Sequence, residues 1–136
     1  MPGTGRLTSD RHLLGIEPLT REEILRILGR ARELRSQDGA VERSLAGRSV
    51  VTLFYEASTR TRASFELAAQ KLGASIVSLA SSSSSVSKGE SVWDTGRTLA
   101  AMEPTVIVCR HKSAGAPHLL ASAVESVSDT KVINAG

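Results

Sequence analysis

After one opening helical pattern, short β-branched apolar runs alternate with helix-length segments, and that alternation most restricts the fold. The runs are Ser49-Val-Val-Thr-Leu-Phe-Tyr55, Ser75-Ile-Val-Ser-Leu-Ala80, Thr105-Val-Ile-Val-Cys109 and Lys131-Val-Ile-Asn134. Each has strand length and strand composition. The near-continuous apolarity of the first suggests cover on both faces, as in parallel sheets. Helical patterns run from about Thr59 to Leu72 and from about Ser91 to Met102, and a third is opened by Pro117 and reaches about Val124. Phe65, Ala68, Ala69 and Leu72 share a face, with Gly73 placed as a C-terminal cap. Ser91 and Asp94 have capping spacing, Pro104 ends the second helix, and Pro117 suits a first turn. Such alternation predicts a parallel sheet with right-handed crossovers. The expected class is α/β: a three-layer domain whose central parallel sheet of about four strands is flanked by helices. An N-terminal helix precedes it. There Thr20 and Glu23 form a capping box, and Ile24, Ile27, Leu28, Ala31 and Leu34 make one apolar stripe. Gly39 falls just past its end, and Gly29 inside it costs about 1 kcal/mol relative to Ala.

The length of 136 residues fits one domain, and 40% apolar with 23% charged residues is a globular balance. Cys109 is the single cysteine, which excludes an intrachain disulfide framework and a multi-thiolate metal site. No apolar run approaches the ~18 residues of a membrane span, and Met1-Pro-Gly-Thr-Gly-Arg6 is no secretory signal. A cytoplasmic protein is expected. The net charge of +3 comes from interleaved charges, and aromatic residues make up only 3%. That leaves little for stacking on bases, so small anions fit better than nucleic acid.

The most informative segment is Phe54-Tyr-Glu-Ala-Ser-Thr-Arg-Thr-Arg-Ala-Ser-Phe-Glu66, which leaves a strand and opens a helix. The first amides of a helix lack intrahelical partners and carry the positive end of its dipole. Ser58, Thr59 and Thr61 add hydroxyls there, and Arg60 and Arg62 add guanidinium groups. Together they describe a cradle for an anion, most naturally a phosphate. An N-cap followed by two solvated arginines is the plainer alternative.

Two further segments stand beside it. Six of the 19 serines lie between Ser81 and Ser87, leading into Lys88-Gly-Glu90. The composition is that of a linker, but a long connection inside an α/β unit tends to be functional. Arg110-His111 directly follows the third strand run, on the sheet edge that carries the Ser58–Thr61 turn. No dinucleotide fingerprint, P-loop, nucleophile elbow or metal-spaced cluster occurs, and His12, His111 and His118 are scattered.

Ser58-Thr-Arg-Thr-Arg62 followed by Ser64-Phe-Glu66 resembles the carbamoyl-phosphate motif of the aspartate/ornithine carbamoyltransferase family. Ser84-x-x-x-Lys88-Gly-Glu-Ser, Asp94-Thr95, Arg110-His111 and Val132-Ile-Asn-Ala-Gly136 extend the resemblance from about His12 onward. Lys88 and Ile133-Asn-Ala-Gly136 favour the aspartate branch over the ornithine branch. The resemblance implies that Ser58, Thr59, Arg60 and Thr61 bind the phosphate of carbamoyl phosphate. Arg60 would also neutralise the departing phosphate, and Arg110 with Thr61 would polarise the carbonyl. Ser84 and Lys88 would come from the neighbouring subunit, and Lys88 would also contact L-aspartate. The implied assembly is a homotrimer with shared active sites, with regulatory or dihydroorotase-like subunits as candidate further partners. The implied reaction makes N-carbamoyl-L-aspartate and phosphate in pyrimidine biosynthesis. It uses neither cofactor nor metal, since positioning and charge stabilisation suffice.

The family continues past Asn-Ala-Gly into a His-Pro-Thr-Gln stretch and an aspartate-binding domain. Residues 1–136 are therefore expected to be a carbamoyl-phosphate-binding domain incomplete at its C-terminus and inactive alone. A non-catalytic anion-binding domain of the same fold is the alternative.

Overall fold

The structure, a computed structural model, describes residues 11–36, 43–80 and 91–136. The strands are β1 (Ser49–Phe54), β2 (Ser75–Ala80), β3 (Val106–Arg110) and β4 (Lys131–Asn134). The helices are α1 (Arg21–Arg35), α2 (Thr59–Lys71), α3 (Val92–Ala101) and α4 (Ala116–Glu125). All four strands pair in parallel, in the order β2-β1-β3-β4. The chain leaves β1 toward one edge to make β2, then returns past β1 to make β3 and β4. This reversal creates a topological switch point between the carboxyl ends of β1 and β3, where open α/β sheets bind ligands. Neither the strand order nor the switch point follows from the periodicity of the sequence.

The sheet separates two clusters of buried side chains. On one face Val51, Leu53, Ile107, Cys109 and Val132 meet Leu99 and Ala100 of α3 and Leu120, Ala121 and Val124 of α4. The other face is smaller: Val50, Phe54 and Val108 meet Ala69 of α2, with Phe65 and Ile76 partly buried beside them. The expected three layers are present, and the central strand β1 is covered on both sides, with every residue after Ser49 buried. Ala68, expected on the packed face of α2, is exposed; among the helix's residues only Ala69 is buried. The edge strand β2 has no fully buried residue. Burial pushes the Cys109 thiol up to about 12, so it stays protonated and unreactive at neutral pH.

Local signals set the helix ends. The capping box forms at α1, with Glu23 N–H donating to Thr20 Oγ1 at 3.1 Å and Thr20 N–H to Glu23 Oε2 at 2.8 Å. Asp94 N–H donates to Ser91 Oγ at 3.0 Å, and Gly73 takes φ 94° just beyond α2. Pro117 lies in the first turn of α4. The expected cap at Gly39 lies outside the described residues. No residue of the α1 stripe is fully buried: Ile24, Ile27 and Leu34 are half-buried, and Leu28 is 54% exposed.

Ahead of α1, residues 12–14 run beside β4. Leu13 bridges Ile133 in parallel, its N–H donating to Val132 O and its carbonyl accepting from Asn134 N–H, both at 2.9 Å. This strap covers the otherwise open edge of β4.

Candidate functional site

The Ser58–Arg62 turn, which follows β1, and Arg110, which ends β3, both stand at the carboxyl edge of the sheet, at the β1/β3 switch point. Phe54 pairs with Arg110 in the ladder, and Tyr55 N–H donates to Arg110 O at 2.8 Å. Arg110 is thus the last residue of β3 rather than the first of a loop, as the sequence suggested. On its other side Ala135 N–H donates to Cys109 O at 2.8 Å, so the ladder runs to the end of both flanking strands.

Ser58 is the N-cap of α2, but its side chain makes no capping bond, and the first turn holds no acidic residue. The first intrahelical bond is Arg62 N–H to Ser58 O at 3.0 Å. The amides of Thr59, Arg60 and Thr61 therefore lack intrahelical partners, and no carboxylate competes for the positive end of the dipole. Thr59 and Arg60 are exposed and Ser58 and Thr61 half-buried. Arg62 points back along the helix, 3.8 Å from Glu66. Glu66 Oε2 accepts a 2.5 Å bond from Thr52 Oγ1, which ties α2 to β1. Burial pushes the Glu66 carboxyl upward, but hydrogen bonds from Thr52 and Ser78 and the charge of Arg62 together hold it below the usual range. Arg62 therefore serves this anchor, while Arg60 has no hydrogen bond or ion pair to another of the described residues.

Arg110 is held from two sides. Its Nε donates to Glu56 Oε1 at 3.1 Å and its Nη1 to Ala135 O at 2.8 Å. A guanidinium has five N–H donors, so three remain for a ligand. Gly136 (φ 120°) lies against the same group, and a Cβ there would sit 2.3 Å from Nη1. His111, tilted 52° against Tyr55 with ring centroids 4.6 Å apart, accepts the Ser113 N–H at Nδ1. Burial and the charge of Lys112 lower its pKa against an opposing pull from Glu56, which favours the neutral ring.

Sequence reasoning assigned no role to Glu56 or to the Ala135 carbonyl. Glu56 had a usable signal, a carboxylate two residues past a strand end. The carbonyl had none, because only the β3–β4 register brings it to Arg110. Ser84 and Lys88 lie outside the described residues; β2, which precedes them, ends at Ala80 in register with Phe54. A wide depression of about 810 Å³ opens at the opposite end of the sheet, where Arg48 and Lys131 are offset by Glu103 and Asp129. Its balanced charge suits a dianion less well than the switch point does. Among the described residues no helix is long and apolar enough to cross a membrane.

Comparisons with known proteins converge on one family. The family model for the carbamoyl-P binding domain of aspartate/ornithine carbamoyltransferases matches residues 11–136. The aspartate carbamoyltransferase catalytic subunit of Solibacter usitatus is 54% identical over 127 residues, which are 91% of this chain and 41% of that protein. The crystal structure of Trypanosoma cruzi aspartate transcarbamoylase in complex with carbamoyl phosphate and aspartate superposes with a TM-score of 0.83 at 32% identity. It covers 99% of this chain and 41% of that one. The anabolic ornithine carbamoyltransferase of Campylobacter jejuni gives 0.79 at 31% identity, over 92% of this chain and 38% of that one. The chain thus spans about 40% of the length of the relatives it matches.

Proposed function

Because the chain belongs to the aspartate/ornithine carbamoyltransferase family, we propose that it is the carbamoyl-phosphate-binding half of an aspartate carbamoyltransferase. One observation carries the reading: an uncapped helix N-terminus free of acidic residues and a strand-end arginine with three spare donors stand at the same switch point of the sheet. The higher identity to an aspartate enzyme supports that branch over the ornithine one.

In this reading the Thr59–Thr61 amides, the hydroxyls of Ser58, Thr59 and Thr61, and Arg60 hold the phosphate. Each bond to a charged group is worth about 1.5–3 kcal/mol, so several converging ones retain a dianion. Arg110, oriented by Glu56 and the Ala135 carbonyl, donates to the carbamoyl oxygen together with Thr61. The amine of L-aspartate attacks the carbonyl carbon, and the oxygen gains charge that Arg110 meets. As the C–N bond forms, the C–O bond to phosphate breaks. Phosphate leaves with the electron pair toward Arg60 and takes the proton that the amine gives up. The catalytic set is Arg60, Thr61, Arg110 and Lys88. Ser84 and Lys88 act from the neighbouring subunit of a homotrimer, and Lys88 contacts aspartate as well as phosphate. The product feeds pyrimidine synthesis in the cytoplasm. The aspartate-binding part belongs to the remaining length seen in the relatives, and residues 1–136 alone are expected to show no turnover.

Arg60→Ala tests the assignment in a protein that carries both parts. Loss of one charge-stabilising donor predicts a fall in kcat/KM of about 10²–10³. Its exposed position predicts a stability change within about 0.5 kcal/mol. Unfolding with full activity in the folded fraction would contradict the role.

A further inference from the structure

We propose that His12 is a proton-sensitive latch and a positioning residue for Arg110. Its side chain is 7% exposed and engaged at both ring nitrogens. Nδ1 accepts the Val132 N–H at 2.8 Å, and Nε2 lies 2.8 Å from Glu125 Oε2. An imidazole nitrogen that accepts a hydrogen bond carries no proton, so the ring is the neutral Nε2–H tautomer donating to Glu125. The histidine thereby clips the strap to β4 from beyond the end of the Leu13 bridge.

The strap reaches the site through three residues. Asn134 N–H donates to Leu13 O at 2.9 Å, and Asn134 Nδ2 to Leu14 O at 3.0 Å. Asn134 Oδ1 accepts from Gly136 N–H at 3.0 Å, which folds Asn134-Ala135-Gly136 around the Arg110 guanidinium. The Ala135 carbonyl between them takes Arg110 Nη1 at 2.8 Å. Holding the strap therefore holds the acceptor that aims Arg110.

A second proton can add only at Nδ1, where it would face the Val132 N–H donor to donor. The Glu125 carboxylate of α4 faces Nε2, and the Val132 N–H of β4 faces Nδ1. The other titratable group of α4, His118, is about two turns away. Lys131 adjoins Val132 in β4, and Arg11 beside His12 is engaged with Glu23 of α1. Protonation thus exchanges the clip for a tighter His12–Glu125 pair and loosens the strap at its first residue, leaving the Leu13 and Leu14 bonds to hold it alone. The latch stands on these bonds alone; its consequence for anion binding rests on the role proposed for Arg110.

Imidazole nitrogen NMR and amide hydrogen exchange on the 136-residue chain, from pH 8 to pH 5, test the latch. His12→Asn keeps an acceptor near the Nδ1 position but does not titrate, whereas His12→Gln places its amide toward Glu125. We expect the Nε2–H tautomer at pH 8. As His12 gains its second proton, Val132 and Asn134 exchange should accelerate roughly tenfold beyond the intrinsic pH effect, the scale of one lost hydrogen bond. His12→Asn should stay protected at both pH values, and His12→Gln should exchange fast at both. Sulfate, a dianion throughout this range, should lose affinity on acidification in the wild type more than in His12→Asn. A Nδ1–H tautomer at pH 8, or protonation of His12 without faster exchange at Val132, would overturn the latch. Absence of sulfate binding at pH 8 in both proteins would overturn the anion role of Arg110 instead, with the exchange data still deciding the latch.

Discussion

Helices α4 and α1 make opposite use of their surroundings. α4 has no side-chain cap, yet Ala116, Pro117, Leu120, Ala121, Ala123 and Val124 are all buried. α1 has a complete capping box, an Arg30–Glu33 pair at 3.1 Å and an anchoring Arg11–Glu23 contact, yet buries no residue. Capping and side-chain pairs are enough to define a helix locally, whereas only packing makes it part of the core. The difference also bears on the site. Arg110 extends from the strand sealed beneath α3 and α4, so the rigid side of the molecule aims it. The proposed phosphate cradle sits on α2, whose hold on the sheet comes from Ala69 and the Thr52–Glu66 bond.

Substitutions can break this contrast. The largest effect is expected for Leu120→Ala in α4, where a fully buried side chain is removed from the α3–α4 seam. A loss of about 2–5 kcal/mol in urea unfolding is predicted. Gly96→Ala comes next, because the added Cβ would stand 2.8 Å from Leu120 Cδ1 and 3.1 Å from the Ala123 Cβ. Both neighbours are themselves sealed in, so overpacking should cost about 1–3 kcal/mol. In α1 the same glycine-to-alanine change should have the opposite sign. Gly29→Ala meets nothing within 4 Å and should stabilise by up to about 1 kcal/mol through helix propensity. A loss of stability in Gly29→Ala comparable to that in Gly96→Ala would mean that α1 is packed after all.

The fold was largely legible in the sequence because its cues are local. β-branched runs, Thr20–Glu23, Ser91–Asp94, Pro117 and Gly73 each act within a few residues, and each stands where expected. Burial was less legible. The stripe from Ile24 to Leu34 reads as a core face but has no fully buried residue, and Ala68 faces out because α2 meets the sheet over a narrow line. The helix start at Ser58–Thr59 could be read from the sequence, since a helix N-terminus is itself a local object. What holds Arg110 could not: Glu56 lies 54 positions earlier and Ala135 25 later, and only strand order makes them neighbours.

The central claim is that carbamoyl phosphate binds at the β1/β3 switch point. Titrating carbamoyl phosphate into the isotope-labelled chain, and into Arg60→Ala and Arg110→Ala, tests it most directly. The account predicts saturable amide shifts concentrated at Ser58–Arg62 and Arg110–His111, with affinity reduced about tenfold or more in either variant. Shifts centred on the Arg48–Lys131 depression, or binding unchanged in both variants, would contradict it.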